Sequence, residues 1–450
     1  MQLVAERILI RGWRFVSVRG VSFNRLFKLL RKGVKLMLDT IFIGIDVSSQ
    51  NNAVHVMNHN GDKLWQDAFS NSRKGSEDLV KKVLLTPESK HAFLRFGLEA
   101  TGCYGEGLFM FLRETERIPN TRKAIHRLNP KQVKRFHDSY SDLPKDDFTD
   151  AFVIADSLRF GRLGMKEAVV EDRFLALQRL TRWRFQNAKE LTREKNRYLQ
   201  NLFLKFSSMA QLDGTQDSLF SNLFGATAMD FVDDFESVDQ IAYTPLEELV
   251  EYLKIHGKNH FVDPEALAKD IKKAARTSYR LPKALQDSVN EVLAMQCNTI
   301  RFYEKQLKEV DKVIERQMDA IPNTLQSIPG IGPVYAAGLI AEIGDVKRFE
   351  NEAALAKYAG LTWKKHQSGK FEADSTHLIQ GGNRFLRYYF CQAANKVRQH
   401  DPDYQAFYNK KLRETKSTPH KRALVLTARK LVRLVYVLLR DQKLYQLRIR

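Results

Sequence analysis

Four acidic residues in the first third of the chain have the residue types that a site for divalent metal ions needs. Asp46 and Glu99 each lie in an apolar stretch typical of a buried strand, where an unpaired charge is costly. Asp147 and Asp150 are three residues apart, which places both carboxylates on one helix face. Asp146 lies four residues before Asp150, so helix geometry alone does not choose between Asp146 and Asp147. Three or four converging carboxylates can hold the Mg²⁺ or Mn²⁺ pair of two-metal phosphoryl transfer.

Ser368 is a candidate nucleophile in a polar loop in the last third of the chain. A serine that attacks a phosphodiester must be exposed, and it needs nearby cations to lower its pKa and stabilise developing charge. The cations that could do so are Lys364, Lys365, Lys370, Arg384 and Arg387. Asn383, next to Arg384, is a further candidate for binding DNA. Most serines in such loops are only solvated, and Ser375 and Thr376 are rivals in the same loop. His366 is a candidate general base, although a single loop histidine is more often incidental.

A glycine-rich turn, Ile328-Pro329-Gly330-Ile331-Gly332-Pro333, precedes a helix of small residues. Gly330 and Gly332 would let backbone N–H groups approach a phosphate at the start of that helix, a contact that does not read base sequence. The alternative is an ordinary tight turn that lets two helices pack closely. The basic character of the region favours a DNA contact resembling a helix-hairpin-helix turn.

The composition predicts a folded protein with a polyanionic partner. The chain has 450 residues, 43% of them hydrophobic, which is enough for two or three domains with sizeable cores. A formal net charge of +20 favours nucleic acid, because each phosphate that Lys or Arg neutralises releases a counterion. The alternative is that the charge serves only solubility.

The cysteines and the hydropathy pattern favour a reducing compartment without a membrane span. Cys103, Cys297 and Cys391 are far apart and show no CxxC spacing, which fits a reducing environment and argues against a disulfide framework or a zinc–thiolate site. No apolar run reaches the roughly 18 residues that a membrane span needs. We therefore expect a cytoplasmic protein without a membrane partner.

An α/β domain is predicted for the first part of the chain, because strands come first and a strand-and-helix unit follows. The predicted strands are 41–47, 53–57, 64–69 and 96–100, with the turn Asn60-Gly61-Asp62 between the second and the third. Apolar spacing predicts a helix at 149–163, which begins just after Asp147 and includes Asp150. Two long charged helices are predicted further on, at 172–206 and 282–320, with an irregular segment between them. They suggest an antiparallel coiled-coil-like arm, although a simple helical spacer fits as well. The remainder, from 321, is predicted to be mostly helical.

Several short segments resemble one known family, the DEDD transposases of the insertion sequence 110 group. The resemblance runs from about Met37 to the C-terminus and rests on Gly44-Ile45-Asp46-Val47-Ser48, Leu98-Glu99-Ala100-Thr101-Gly102, Lys145-Asp146-Asp147-Phe148-Thr149-Asp150-Ala151, Ile328-Pro329-Gly330-Ile331-Gly332-Pro333, Tyr358-Ala359-Gly360-Leu361, Gln367-Ser368-Gly369 and Gly382-Asn383-Arg384-Phe385-Leu386-Arg387. One departure is Gln380-Gly381, where many relatives have a basic residue before the Gly-Asn pair.

The resemblance implies a fold and a division into domains. The fold class would be α/β plus α, with a RuvC-like domain of the RNase H type at 37–170, a coiled-coil arm at 171–320 and a C-terminal transposase domain at 321–450. Residues 1–36 have no counterpart in the family, and we expect a basic extension without a role that is either not native to the protein or disordered. Bacterial or archaeal, nucleoid-associated localisation is also implied.

The resemblance further implies a mechanism. The acidic tetrad would fall on Asp46, Glu99, Asp147 and Asp150, with Asp147 preferred over Asp146, and the catalytic serine on Ser368. Such an enzyme would cut and rejoin element-end and target DNA through a serine–DNA phosphodiester, using Mg²⁺ or Mn²⁺. A structured noncoding guide RNA would be a partner. The metal site and the serine would meet between subunits of a dimer or tetramer.

Two other functions are consistent with the same residues. A RuvC-like junction resolvase would use the carboxylates and water, without Ser368 and without a covalent intermediate. A DNA-binding protein without catalysis would use only the glycine-rich turn and the basic helices. The acids in apolar strands count against the second alternative, because a pure binding module has no use for them.

Overall fold

The structure is a computed structural model that describes residues 40–100, 102–140, 143–161, 172–215, 218–363, 367–368, 371–372, 378–379, 381–415 and 418–447. The basic extension at 1–36 lies outside the described residues, as do Lys364, Lys365, His366, Lys370, Ser375, Thr376 and Gln380. The chain divides into two compact units, 1–169 and 170–450.

The first unit contains a five-stranded mixed sheet. Its strands are β1 (Thr40–Val47), β2 (Asn51–Met57), β3 (Lys63–Ser70), β4 (Phe93–Glu99) and β5 (Lys123–Leu128). The strand order is β3-β2-β1-β4-β5, in which β1, β2 and β3 pair antiparallel and β4 and β5 run parallel to β1. The first three predicted strands are confirmed within two residues. The fourth begins three residues before its predicted start, and β5 is an additional strand.

Helices cover both faces of this sheet. They are α1 (Arg73–Leu85), α2 (Gly105–Glu114), α3 (Pro130–His137) and α4 (Asp147–Phe160). Ile43 and Ile45 of β1 pack with residues of α1 and α2 on one face, whereas Phe42 packs with residues of α3 and α4 on the other. A central strand buried on both faces is apolar at nearly every position, which explains the continuous apolar run of β1.

The second unit contains two long helices that pack against each other. They are α5 (Asp172–Lys205) and α11 (Lys283–Asp319). Side-chain contacts join Arg184 to Asp311, Lys195 to Glu304, and Asn201 to Gln296. Rising numbers on α5 meet falling numbers on α11, so the two helices are antiparallel.

The segment between the long helices is helical, and the prediction that it is irregular is wrong. It contains α6 (Ser207–Leu212), α7 (Ala226–Asp234), α8 (Val238–Tyr243), α9 (Leu246–His256) and α10 (Pro264–Thr277). Side chains of these helices form a core with Tyr198 and Leu202 of α5 and Val289 of α11. Short helices of 6 to 14 residues give too little periodicity in sequence, and this shared core supplies the stabilisation they lack alone.

The rest of the second unit is helical around a further core, as predicted. Its elements are α12 (Pro333–Ile343), α13 (Glu352–Ala359), β6 (Gln367–Ser368), β7 (Phe371–Glu372), α14 (Arg384–His400), α15 (Pro402–Arg413) and α16 (Pro419–Asp441). Leu339 of α12, Tyr389 and Phe390 of α14 and Leu431 of α16 are buried in this core. Within the described ranges, no helix is long and apolar enough to cross a membrane.

Candidate functional site

Asp46 and Glu99 lie side by side at the ends of two neighbouring strands. Asp46 is the next-to-last residue of β1, and Glu99 is the last residue of β4. The two strands are parallel, and Ile45 pairs with Leu98. The acids follow this pair by one residue on each strand, so they leave the sheet at the same level and at the same edge.

Helix α4 brings the paired aspartates to β1. The two elements are in close contact, since a Cβ at Gly44 would lie 2.0 Å from the carbonyl oxygen of Ala151 and 2.4 Å from the nitrogen of Ala155. Glycine therefore permits α4, whose first turn carries Asp147 and Asp150, to approach the strand that carries Asp46.

The carboxylates repel each other across this approach. Burial, and after it the charges of Asp150 and Asp147, raises the pKa of Asp46 from 3.8 to about 6. Burial, followed by the charges of Asp46 and Asp150, also raises the pKa of Glu99. All four predicted acids thus belong to one electrostatic cluster, which we call the carboxylate cluster.

Asp146 has a different role from its neighbour. It is the N-cap of α4, and its two carboxylate oxygens accept hydrogen bonds from the backbone N–H and the hydroxyl of Thr149, at 2.9 and 2.8 Å. These hydrogen bonds lower the pKa of Asp146. Asp146 thus caps the helix, whereas Asp147 contributes a charge that acts on Asp46.

The donor chemistry of the carboxylate cluster suits a hard divalent cation. Mg²⁺ and Mn²⁺ are bound by oxygen ligands such as carboxylates. A bound cation would also reduce the repulsion between the crowded negative charges. However, among the described residues no group of three His, Cys, Asp or Glu side chains is placed so that it could already hold a metal ion. The carboxylate cluster thus has ligands of the right chemistry, but its carboxylates would have to move closer together to bind a metal ion.

His137 is a neighbour of the cluster that the sequence does not reveal. It ends α3, and its Nε2 atom lies 4.0 Å from Oδ1 of Asp150. Only the packing of α3 against α4 brings the two residues together, and no local motif signals that packing.

Ser368 lies at the end of a short strand in the second unit. Strands β6 and β7 form an antiparallel pair in which Gln367 faces Glu372 and Ser368 faces Phe371. We call this pair the serine hairpin. The side chain of Ser368 lies outside what the structure describes, and its backbone is that of the last residue of β6.

The base of the serine hairpin is closed by backbone contacts. Trp363 and Leu378 form an isolated antiparallel bridge, and the N–H of Ile379 donates to the carbonyl of Thr362 at 2.9 Å. Gly382 lies against the chain just before these residues, since a Cβ there would lie 2.5 Å from the nitrogen of Gly360.

Two of the residues predicted to bind DNA have partners within the protein. The Oδ1 atom of Asn383 accepts from the N–H groups of Phe385 and Leu386 and caps α14, while its Nδ2 atom donates to Glu342 at 2.7 Å. The Nη1 atom of Arg387 donates to the carbonyl of Gly381 at 3.0 Å. Arg384 is exposed at the start of α14, with its guanidinium over the ring of Phe385.

The two glycines of the glycine-rich turn have different surroundings. Gly330 has φ +89° and packs against α14, where a Cβ would lie 2.8 Å from the carbonyl carbon of Lys396. Gly332 is the exposed N-cap of α12, and a Cβ there would meet nothing within 4 Å. Gly330 thus serves helix packing, and Gly332 leaves the start of α12 exposed.

Two family models match the chain. One, described as a transposase of the IS110 DEDD type, matches residues 43–206, and the other, described as the IS116/IS110/IS902 transposase family, matches residues 323–409. Together they cover more than half of the chain, including Asp46, Glu99, Asp147, Asp150 and Ser368. Both describe transposases.

Individual relatives agree with these models. The chain is 24% identical to the 44.8 kDa protein of insertion element IS116 from Streptomyces clavuligerus, over 90% of this chain and 96% of that protein. It is 28% identical to the pilin gene-inverting protein of Moraxella bovis, over 34% of this chain and 49% of that protein. The chain belongs to the IS110 family of transposases.

One solved structure is also similar. It is T. thermophilus RuvC in complex with a Holliday junction substrate, which matches 28% of this chain and 99% of its own length at 14% identity and a TM-score of 0.22.

Proposed function

We propose that the chain is the transposase or recombinase of an insertion sequence, and that it cuts and rejoins DNA. The observation that carries the proposal is the carboxylate cluster, in which β1, β4 and α4 deliver four acids to one edge of a sheet. The raised pKa values of Asp46 and Glu99 support the proposal, because buried and crowded carboxylates of this kind are concentrated at functional sites. The membership of the chain in a transposase family supports the same function.

Asp46, Glu99, Asp147 and Asp150 would hold Mg²⁺ or Mn²⁺. Bound metal ions at such a site supply Lewis acidity toward the attacking and leaving oxygens of a phosphodiester. The protein's part is to present unprotonated carboxylates, and the pKa of about 6 at Asp46 leaves most of that side chain charged at neutral pH. A domain of the RNase H type, with parallel strands ending in acids, would be the scaffold.

Ser368 would be the nucleophile. Its hydroxyl oxygen forms a bond to phosphorus and loses its proton, while the displaced deoxyribose oxygen takes up a proton and leaves. The position of Ser368 as the last residue of β6, within the basic sequence Lys364–Lys370, supports this role. Arg384 at the start of α14, and the lysines Lys364, Lys365 and Lys370, would stabilise the developing charge.

Nucleic acid would be bound largely through its phosphates. The net charge of +20 suits DNA of the element ends and of the target, and it would also suit a structured guide RNA. Gly332 would offer the N–H groups of α12 to a phosphate in the manner of a helix-hairpin-helix turn, and the antiparallel pair of α5 and α11 would serve as a coiled-coil arm. A homo-oligomer, a dimer or tetramer, would bring the carboxylate cluster of one subunit to the serine of another.

The test is detection of a covalent protein–DNA adduct on a denaturing gel, with labelled element-end DNA, Mg²⁺ and any RNA that co-purifies. We expect an adduct with the wild type and with Ser375→Ala, a matched serine in the same loop, and none with Ser368→Ala. Cleavage without an adduct in every protein would favour the second candidate, a RuvC-like nuclease that uses water. DNA binding with neither cleavage nor adduct would refute both enzymes.

A further inference from the structure

A buried carboxylate outside the carboxylate cluster joins three helices of the second unit. The side chain of Glu342, in α12, has no solvent exposure. Its Oε1 atom accepts from Nε of Arg182 at 2.7 Å, and its Oε2 atom accepts from Nη2 of Arg182 at 3.0 Å and from Nδ2 of Asn383 at 2.7 Å. Gln178 donates to the same oxygen at 3.2 Å. We call these four residues the Glu342 network.

This arrangement is expensive for a purely structural contact. The carboxylate of Glu342 is removed from water, while the side chain of Arg182 remains 39% exposed. Burying a charged carboxylate is costly unless good geometry and several hydrogen bonds offset the cost, and an apolar side chain at this position would avoid it. The Glu342 network is therefore explained better by a demand for fixed geometry than by stability.

One side of the network leads to the serine hairpin. Asn383 is the N-cap of α14, and its N–H donates to the carbonyl of Tyr358 at 2.6 Å. The neighbouring Gly382 packs on Gly360, from which the chain runs through Thr362 into the closed base of the hairpin. A shift of the Asn383 side chain would thus be passed to that base through backbone contacts that leave no space for a Cβ.

The other side of the network leads to the long helix α5. Arg182 lies on α5, and its guanidinium also lies over the ring of Phe385 in α14, 4.7 Å from the centroid. Phe185, one turn further along α5, contacts the same ring edge-on at 5.1 Å. The start of α14 is therefore fixed to α5 by a cation–π contact and an aromatic contact, and to Glu342 of α12 by the hydrogen bond from Asn383.

We propose that Glu342 is a positioning residue for Ser368. By holding Asn383 against Arg182 it fixes the base of the serine hairpin relative to α5, and so sets how Ser368 approaches the phosphorus atom. The inference rests on the proposed role of Ser368 as nucleophile. It predicts that loss of the Glu342 charge lowers the rate of the covalent step while DNA binding persists.

The experiment compares the full-length wild type with Glu342→Gln in single-turnover adduct formation at saturating element-end DNA. We expect the rate constant to fall about tenfold or more, because small misplacements of a reacting group cost that much, while the DNA dissociation constant changes by less than about twofold. An unchanged rate constant, or weaker DNA binding that accounts for the whole loss, would overturn the proposal.

The matched control is Asp311→Asn. Arg184 donates to Asp311 with both guanidinium arms, so this variant also breaks a bidentate ion pair of α5, but on the side facing α11. We expect it to leave the adduct rate within about twofold of the wild type, because Asp311 belongs to α11 and is not part of the Glu342 network. An equal loss in both variants would mean that α5 ion pairs act only through general stability.

A readout without catalysis separates this proposal from the proposed function. In Glu342→Gln, amide hydrogen exchange should rise in the peptide 362–379 and remain unchanged in the first unit, whether or not any adduct forms. Asn383→Ser, which keeps a helix cap but is too short to reach Glu342, should show the same increase if Glu342→Gln fails to fold. Unchanged exchange in that peptide would overturn the inference, whereas absence of an adduct in the wild type would overturn only the proposed function.

Discussion

Gly44 and the carbonyl oxygen of Ala151 are so close that a Cβ on Gly44 would lie 2.0 Å from that oxygen. This contact sets the distance between β1 and α4, and through them the distance between Asp46 and the aspartates Asp147 and Asp150. A glycine in the middle of the run 41–47 of β1 is thus a determinant of the carboxylate cluster.

Gly44→Ala should destabilise the first unit, because neither the strand nor the helix backbone can move away without disturbing the core. We expect a loss of roughly 2 kcal/mol or more in the free energy of unfolding, measured by denaturant titration. The control is Gly107→Ala in α2, where a Cβ would meet nothing within 4 Å. That variant should gain a few tenths to about 1 kcal/mol from higher helix propensity. Equal stability of the two variants would contradict the close approach.

Asp46→Asn should stabilise the metal-free protein at neutral pH. The folded state raises the pKa of Asp46 from 3.8 to about 6, so the folded state favours the protonated form. The penalty is absent below pH 3.8, grows as the pH rises toward 6 and is complete above it. We expect a gain of about 1 to 2 kcal/mol at pH 7, after allowance for solvent screening, and almost none at pH 3.5.

The control is Asp67→Asn, for which the change in stability with pH should have the opposite sign. Lys82 lowers the pKa of Asp67 through a hydrogen bond, so the charged form of Asp67 is favoured by folding. Asp67→Asn should therefore lose stability above pH 4, where Asp46→Asn gains it. Thermal unfolding measured from pH 3.5 to pH 8 would distinguish the two, and parallel profiles would refute the burial of Asp46.

Divalent metal should stabilise the protein through the carboxylate cluster. Addition of Mg²⁺ or Mn²⁺ in large excess over its dissociation constant should raise the melting temperature, and removal by a chelator should reverse the rise. Asp150→Asn should abolish both the rise and DNA strand cleavage. Asp146→Ser, which retains an N-cap for α4, should keep both. Loss of the metal response in Asp146→Ser alone would move Asp146 into the site.

Asn383→Ala should cost more stability than an ordinary capping mutation. It removes the cap of α14 and one hydrogen bond to the buried Glu342. Asn351→Ala removes only the cap of α13, where Asn351 accepts from the N–H of Ala354 at 2.9 Å. We expect losses of about 1 kcal/mol for Asn351→Ala and about 2 to 4 kcal/mol for Asn383→Ala, measured by denaturant titration. Equal losses would show that the bond to Glu342 contributes nothing.

Binding to DNA should weaken steeply with salt. Each phosphate neutralised by the basic surface releases a counterion, so the logarithm of the affinity should fall linearly with the logarithm of the salt concentration. Between about 50 and 200 mM salt the loss should be on the order of a thousandfold if six or more phosphates are contacted. A flat profile in a filter-binding or anisotropy titration would contradict phosphate-driven binding.

The amino-acid sequence alone was sufficient to predict the elements whose signals are local. The strands β1, β2 and β3, the helix that carries Asp147 and Asp150, and the two long helices follow from apolar periodicity and from one turn sequence. The transposase family follows from short motifs in a specific order. β5 was missed because Lys123, His126 and Arg127 interrupt its apolar pattern, although neighbours in the sheet bury the first two.

Only the tertiary structure decided how the chemical groups are arranged. The sequence cannot separate Asp146 from Asp147, because either spacing from Asp150 fits a helix, and only the direction of the side chain distinguishes a cap from a residue whose charge acts on Asp46. Nor does it identify the role of Glu342, although an acid within the apolar run 336–343 was a usable signal. Burial, like-charge repulsion and buried hydrogen bonds depend on residues far apart in the chain, so their effects exist only once the helices and strands have packed.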